Sequence, residues 1–275
     1  MLRHDASRRE TQEEKMKELN YIHLESVDST NLYVSARAGE MPHGTVVYSD
    51  AQVAGRGQRG NKWESEYGCN VTLSMLLRPD RIHPSQQFLL SEISALAVVR
   101  TLDRYVEGTE VKWPNDIYYK DGKISGMLIE HSLSGGHINH TIVGIGVNVN
   151  QECFRSDAPN PVSLCQITGR KEDREEIVRA IAGHIESMLE VLPEKAAEIH
   201  GEFLSRLYRR EGFHTYRAAV DSQPKTGATS LTAGQTFEGR IEAVALDGIL
   251  TLGLADGSTH EFAFKEVEFI VPRNH

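Results

Sequence analysis

The fold is decided by residues 117–150, which read IYYKDGKISGMLIEHSLSGGHINHTIVGIGVNVN. Three runs of strand-forming residues are separated by turn residues, first at Asp121-Gly122 and then at Ser134-Gly135-Gly136. An Asp-Gly pair between two strands favours a hairpin with a type I′ turn. The segment therefore predicts a three-stranded antiparallel meander.

The second turn predicts the register of this meander. If Leu133 pairs with His137, facing residues have numbers that sum to about 270, which places Lys123 opposite Val147. By the register of the first hairpin, Asp116 lies about four residues further along the sheet, on the order of 13 Å from Lys123 at the rise of a strand. Such a separation favours an extended ligand with two ends over a compact catalytic pair.

Two glycines of the last strand, Gly144 and Gly146, lie near Lys123 and Asn148 in this register. Because glycine leaves the sheet surface bare, something can lie flat on the strand at these positions. A bulge or a bend in the strand explains the same glycines equally well.

A basic, glycine-rich segment covers residues 52–63, with the sequence QVAGRGQRGNKW. Its G-x-G-x-x-G spacing is typical of a dinucleotide-binding turn, which needs a strand before it and a helix after it. Residues 45–48 supply the strand, but residues 61–68 have no helical apolar stripe. On either side of the segment, strands are predicted over residues 45–49 and 71–77. The segment favours a loop that closes over an anionic ligand, because its backbone amides and arginines suit phosphate. A solvated turn is the alternative.

Two other polar clusters accompany this loop. In residues 111–116, VKWPND, the proline cannot occupy a central ladder position, which predicts a strand that ends in a sharp bend. Ser29-Thr30-Asn31 precede a helix predicted over residues 32–38, with Gly39 as its C′ residue. These three residues either cap the helix or hydrogen-bond a neutral polar ligand.

The rest of the chain is predicted to form the scaffold, and the chain as a whole is predicted to have an α+β fold. Helices are expected from Pro84 to about Gly108, from Glu175 to Pro193 and from about Glu194 to Arg209, with a loop over residues 151–174. After Tyr216, short strands separated by Asp-Gly turns predict a small barrel of SH3-like size. We expect a charged, disordered tail over residues 1–20, a ligand-binding domain over 21–215 and the barrel over 216–275.

Composition narrows the classes of function. The 275 residues include 30 basic and 39 acidic side chains, a formal net charge of −9, which argues against general nucleic-acid binding. No apolar run is long enough to span a bilayer, and the N-terminal residues have no secretory signal. Three cysteines without paired spacing suit free thiols in a reducing cytoplasm. Without a Walker A or G-x-S-x-G motif, the basic groups indicate phosphate stabilisation during nucleotidyl transfer.

Taken together and in this order, the motifs resemble those of biotin protein ligases. The resemblance runs from about residue 21 to the end of the chain. It implies a mixed sheet backed by helices, related to class II tRNA synthetase cores, with an SH3-like C-terminal domain. It also implies a two-step reaction in which biotin and ATP, with Mg²⁺, form biotinyl-5′-AMP and pyrophosphate, and a carrier-protein lysine then takes the biotinyl group. The motifs are Ser29-Thr30-Asn31, Gly55-Arg56-Gly57-Gln58-Arg59-Gly60-x-x-Trp63, Lys112-Trp113-Pro114-Asn115-Asp116, Lys123-x-x-Gly126 and Gly144-x-Gly146-x-Asn148.

The same resemblance implies roles for individual residues, with Lys123, Arg56 and Asp116 as the catalytic ones. A ureido group suits the mixed donors and acceptors of Ser, Thr, Asn and Gln, and cations allow two anions, the carboxylate and the α-phosphate, to approach each other. Trp63 can cover an apolar or aromatic part of the adenylate. The implied biotin contacts are Ser29, Thr30, Asn31, Gln52, Arg56, Gly57, Gln58 and Lys123. The implied nucleotide contacts are Gly55, Arg59, Trp63, Lys112, Asn115, Asp116 and Asn148.

The implied partner is the biotin carboxyl carrier protein, a carrier domain of a biotin-dependent carboxylase. Nothing before Tyr21 suggests a helix-turn-helix, so we expect the ligase-only type, without operator DNA binding and without a membrane contact. Residue patterns leave open whether the protein is a monomer or a homodimer.

One position departs from the family pattern, because Gln58 stands where many members carry a third arginine. The loop therefore has one positive charge fewer with which to hold the adenylate. We expect Gln58→Arg to slow the release of biotinyl-5′-AMP, and an unchanged release rate would count against this hypothesis.

Two alternatives compete with this interpretation. A lipoate ligase or an octanoyl or lipoyl transferase shares the core fold, but its R-R-x-S-G-G-G motif is missing here. A non-enzymatic adaptor with a nucleotide-sensing domain would leave the placement of Lys123 and Asp116 unexplained.

Overall fold

The computed structural model describes residues 19–57, 62–155 and 160–272. Its larger sheet is mixed and has seven strands: β1 Asn20–Leu24, β2 Thr45–Ser49, β3 Val71–Leu77, β4 Thr109–Lys112, β5 Asp116–Tyr119, β6 Gly122–Ser134 and β7 His137–Val147. They are arranged in the order β1-β2-β3-β7-β6-β5-β4. Strands β1 and β2 run parallel, and the other neighbours run antiparallel. The predicted meander is confirmed as β5-β6-β7.

Helices cover both faces of this sheet. They are α1 Thr30–Arg37, α2 Phe88–Leu102, α3 Leu164–Thr168, α4 Arg174–Glu190 and α5 Ala196–Ser205, with a 3₁₀ turn at Pro84–Gln86 before α2. On one face, α2 and α4 belong to the main apolar core, and α2 is buried at nearly every position. In the described part of the chain, no helix combines the length and the apolar character that crossing a membrane requires.

The opposite face of the sheet carries α1 and a bare strand surface. Val34 of α1 packs in a smaller cluster with Val47, Leu76 and Ile142. Because side chains alternate along a strand, Ile142 shares its face with positions 144 and 146, both glycine. The strand residues between them, such as Val143, point into the main core instead. The α1 face of β7 is therefore open for a ligand or a side chain.

A second, antiparallel sheet follows in the order β11-β10-β9-β8-β12. Its strands are β8 His214–Ala218, β9 Thr236–Val244, β10 Leu250–Leu254, β11 Thr259–Phe262 and β12 Val267–Phe269. Trp113 of the VKWPND bend anchors this sheet, because its indole donates to the Gly248 carbonyl at 3.0 Å and meets the Phe264 ring edge-on at 5.4 Å. The exact domain division at 215/216 and the SH3-like closure stay predictions, and most of the predicted tail, residues 1–18, lies outside the described residues.

Several predicted limits of helices and loops were wrong. Helix α2 ends at Leu102 rather than near Gly108, and α5 is shorter at both ends than predicted. The predicted loop over residues 151–174 contains α3, which begins with a capping box between Ser163 and Gln166. Gly39 does follow the C-cap residue Ala38 as the predicted C′ residue, but it has no positive φ, so α1 does not end in a left-handed glycine.

The register of the meander also differs from the prediction. The Gly135-Gly136 turn pairs Ser134 with His137, and a bulge between Ser132 and Leu133 shifts the strands by one more residue. Ser125, and not Lys123, therefore faces Val147. A bulge cannot be read from residue types alone, and one extra residue changes every later pair.

The first hairpin turn is not type I′. Tyr119 pairs with Gly122, so the turn residues are Lys120 and Asp121. Lys120 is left-handed (φ 53), whereas Asp121 has no positive φ. A type I′ turn requires positive φ at both central residues, which excludes it here.

Candidate active site

A pocket of about 570 Å³ lies on the α1 face of the large sheet, a size that suits a small-molecule ligand. The predicted residues that line it are Ser29, Thr30, Asn31, Gln52, Arg56, Gly57, Trp63, Lys112, Asn115, Asp116, Lys123 and Asn148. Gly55 lies behind this wall, where its carbonyl accepts a hydrogen bond from the Trp63 amide at 3.1 Å. Gln58 and Arg59 lie outside the described residues.

Lys123 and Asp116 form a direct ion pair, with Lys123 Nζ 2.7 Å from Asp116 Oδ1. The predicted separation was therefore wrong. A bulge between β5 and β6 makes Asp116 face Gly126, three residues from Lys123 rather than about four. Because Tyr118 pairs with Lys123 and lies two residues from Asp116, Lys123 and Asp116 share a face of the sheet, and the long lysine side chain spans the remaining backbone distance.

A second cation joins this pair. Lys112 Nζ lies 4.0 Å from Asp116 Oδ2, and the side chain is 17% exposed. It also lies over the Tyr118 and Phe269 rings, 5.3 and 5.1 Å from their centroids. Burial lowers the pKa of Lys112, and the Asp116 carboxylate opposes that shift. With two amines facing one carboxylate, this end of the pocket is suited to an anion.

The other end of the pocket is polar but largely uncharged. The Gln52 Oε1 atom accepts hydrogen bonds from the Thr30 amide at 2.8 Å and from the Thr30 hydroxyl at 3.2 Å. Ser74, buried on β3, donates to Asn31 Oδ1 at 2.5 Å. Within the described chain, the Ser29 hydroxyl makes no capping hydrogen bond to α1. Ser29, Thr30 and Asn31 line the pocket, and capping of α1 by the Ser29 side chain is not supported.

Arg56 pairs with a residue that the sequence analysis missed. Its guanidinium donates to Glu130 at 2.8 Å, and Glu130 also accepts from Asn31 Nδ2 at 2.7 Å. Gly126, Leu128 and Glu130 are spaced two apart on β6 and so share the pocket face. That spacing was the signal that could have identified Glu130. In this structure Arg56 therefore fastens the glycine-rich loop to β6.

The two glycines of β7 accommodate side chains of the protein itself. A Cβ on Gly144 would overlap the Asn31 side chain, and a Cβ on Gly146 would overlap the Trp63 indole. Both glycines are paired in continuous register with β3 and β6, which rules out the alternative of a bulge at these positions. The buried Trp63 Nε1 has no hydrogen-bond partner among the described residues.

Asn115 and Asn148 hold the strands around Lys123. The Asn115 Nδ2 donates to the Met127 carbonyl, and the Asn148 Nδ2 donates to the carbonyls of Lys123 and Val162 at 3.3 and 3.1 Å. With both amide nitrogens used, the side-chain oxygens remain as acceptors for a ligand. Among the described residues, no group of three His, Cys, Asp or Glu side chains could hold a metal ion.

Comparisons with known proteins agree with this geometry. The Biotin/lipoate A/B protein ligase family matches residues 23–148, the stretch that contains most of the pocket. A biotin–[acetyl-CoA-carboxylase] ligase of Paracoccus denitrificans is 33% identical over 168 residues, 58% of this chain and 68% of that protein. The Bifunctional ligase/repressor BirA of Escherichia coli is 30% identical over 69% of this chain and 59% of its own length.

Comparison with solved structures also indicates a biotin protein ligase. A biotin protein ligase from Aquifex aeolicus, solved in complex with biotin and ATP, has a TM-score of 0.72 and 26% identity, and the match covers 92% of this chain and 99% of that one. The chain belongs to the biotin protein ligase family. It spans about three fifths of the length of the BirA relatives that it matches.

Proposed function

We propose that this chain activates biotin with ATP and transfers the biotinyl group to a lysine of a carrier protein. The observation that carries this proposal is the contrast between the two ends of one pocket. Thr30 and Gln52 offer uncharged donors and acceptors at one end, whereas Lys112 and Lys123 converge on Asp116 at the other. A neutral ureido ring suits the first end, and phosphate suits the second.

In the first step, a biotin carboxylate oxygen attacks the α-phosphorus of ATP, and pyrophosphate leaves. Lys123 lies where it can reduce the repulsion between these two anions and stabilise the charge that develops on the α-phosphate. Asp116 holds the Lys123 amine in place through their 2.7 Å contact. Mg²⁺ would accompany the phosphates of ATP.

In the second step, a carrier lysine attacks the biotinyl carbonyl, and AMP leaves. The pocket lies on an open sheet face, which suits the approach of a protruding lysine. We propose a carrier domain of a biotin-dependent carboxylase as the partner. Whether the enzyme acts as a monomer or as a homodimer stays a prediction.

Pyrophosphate release tests this function. Purified protein is incubated with Mg-ATP and with biotin, lipoate or octanoate in separate reactions. Of the three acids, we expect only biotin to cause pyrophosphate release, because the Thr30–Gln52 end suits a ureido group, which lipoate and octanoate lack. Release that is faster with lipoate or octanoate would support the alternative of a lipoate ligase, and no release with any acid would contradict both ligase assignments.

Glu130 offers a graded test of the biotin end. Glu130→Gln retains an acceptor for Asn31 but loses the charge that faces Arg56, and this pair is partly exposed. We expect biotin to bind about two- to fivefold more weakly, since such pairs contribute up to about 1 kcal/mol. Glu130→Ala also leaves Asn31 Nδ2 without this acceptor, so its affinity should fall further. Calorimetry with biotin alone measures both, and equal affinities for the two variants would contradict this role of Asn31.

A further inference from the structure

Gln151, directly after the loop that leaves β7, connects two segments of the pocket wall. Its side chain is buried, and all of its hydrogen-bonding capacity is used. The Oε1 atom accepts from Asn70 Nδ2 at 2.6 Å and from the Glu66 amide at 3.0 Å. The Nε2 atom donates to Glu64 Oε1 at 3.0 Å and to the Cys153 carbonyl at 2.9 Å.

Glu64 completes this connection from the other side. Besides the bond from Gln151, its carboxylate accepts the Arg155 amide, at 2.9 Å to Oε1 and 3.1 Å to Oε2. Asn70 is fixed in turn, because its Oδ1 accepts the Val149 amide at 2.9 Å. The chain after the glycine-rich loop and the chain after β7 are thus fastened by several hydrogen bonds. Those of Asn70 are buried, whereas those to the Glu64 carboxylate are part-buried or exposed but have a charged acceptor, which makes them the stronger kind.

Each fastened segment carries an aromatic residue of the pocket. Trp63 directly precedes Glu64, and Phe154 lies between Cys153 and Arg155, two residues held by this network. Trp63 lies near the lysine end of the pocket, since Lys123 Nζ is 5.9 Å from its ring centroid, and Phe154 lines the same pocket.

We propose that Gln151 and Glu64 are positioning residues for nucleotide binding, which set the separation of Trp63 and Phe154 so that the two aromatic side chains flank the adenylate. This inference rests on the proposed function, because it assigns a nucleotide to the lysine end. It assigns no direct ligand contact to Gln151. Loss of the bond would loosen the nucleotide end and leave the Thr30–Gln52 end unchanged.

The test uses an exchange of the two side chains. Gln151→Glu keeps the acceptors for Asn70 and Glu66, but it removes the donor to the Cys153 carbonyl and places a carboxylate against Glu64. We expect the KM for ATP to rise about tenfold, with biotin affinity within about twofold, because the lost contacts affect one substrate. Adding Glu64→Gln restores the bond between residues 64 and 151 but not the bond to Cys153, so the double variant should recover part of the ATP affinity. The control is Gln166→Ala, which removes the bond to the Glu152 carbonyl (2.8 Å) and the bond from the Ser163 amide (2.9 Å) but no bond to Glu64. It should leave the KM for ATP within about twofold of the unmodified protein.

Tryptophan fluorescence provides a readout that needs no activity. The chain has two tryptophans, and Trp113 is only 2% exposed, so acrylamide quenching reports mainly on Trp63. Quenching without ligands should increase in Gln151→Glu and return toward the original value in the double variant. Equal losses of ATP and biotin affinity, or no recovery in the exchange, would overturn the proposal. Failure of the unmodified protein to release pyrophosphate would overturn the proposed function. The quenching measurement would still test whether residues 64 and 151 hold Trp63 in place, because it requires no activity.

Discussion

Replacing Lys123 with methionine is expected to slow biotin-dependent pyrophosphate release by about 10²- to 10³-fold, the usual effect of removing one donor that stabilises transition-state charge. Methionine keeps most of the side-chain volume beside Gly126 and removes only the charge that faces Asp116. The rate constant is best measured in a single turnover, so that product release does not mask the chemical step.

The matched control for this change is Lys120→Asn. Lys120 is exposed in the neighbouring hairpin turn and has a left-handed backbone (φ 53), which asparagine tolerates. Its activity should stay close to that of the unmodified protein. A Lys123→Met enzyme that keeps more than about a third of the original rate would contradict the catalytic role of Lys123, given the size of the effect expected for such a donor.

Substituting Gly144 with alanine is expected to weaken biotin binding by about tenfold or more, an effect of roughly 1.4 kcal/mol. The new Cβ would overlap Asn31, which would have to leave its contacts with Ser74 and Glu130. Calorimetry with biotin measures the affinity, and thermal unfolding separates it from a general loss of stability. Overpacking of this kind typically costs about 1–3 kcal/mol of folding free energy.

Gly201→Ala is the control for this substitution. Gly201 lies in α5, and an added Cβ would meet nothing within 4 Å. It should leave biotin affinity unchanged and stabilise the protein by about 0.5–1 kcal/mol, since alanine favours a helix interior. If Gly144→Ala binds biotin as tightly as Gly201→Ala does, Asn31 is not part of the biotin surface.

Local patterns predicted much of this fold from sequence. Strands β2 and β3 lie at their predicted limits, because they are short apolar runs bounded by turn residues. The Gly135-Gly136 turn is where it was predicted, and both glycines have positive φ. The pocket gathers Ser29, Gln52 and Lys112 from distant parts of the chain because their motifs end or adjoin strands of one sheet.

Features that depend on tertiary packing could not be predicted in this way. The register-based distance missed the ion pair between Lys123 and Asp116, because it counted backbone positions and left out both the bulge in β6 and the reach of the lysine side chain. Glu130 and Gln151 escaped notice because single Glu and Gln residues are common on surfaces, and their partners lie far away in sequence. The Trp63 indole lies against Gly146. The glycines of β7 therefore predicted that some group approaches this strand closely, but they could not predict that the group is Trp63.

The most direct test of the central claim is the intact mass of a carrier domain after incubation with this protein, biotin and Mg-ATP. The account predicts the mass gain of one biotinyl group on a single lysine, dependent on ATP and abolished by Lys123→Met. A carrier that keeps its original mass with biotin, while it gains a lipoyl or octanoyl group from the corresponding acid, would contradict it.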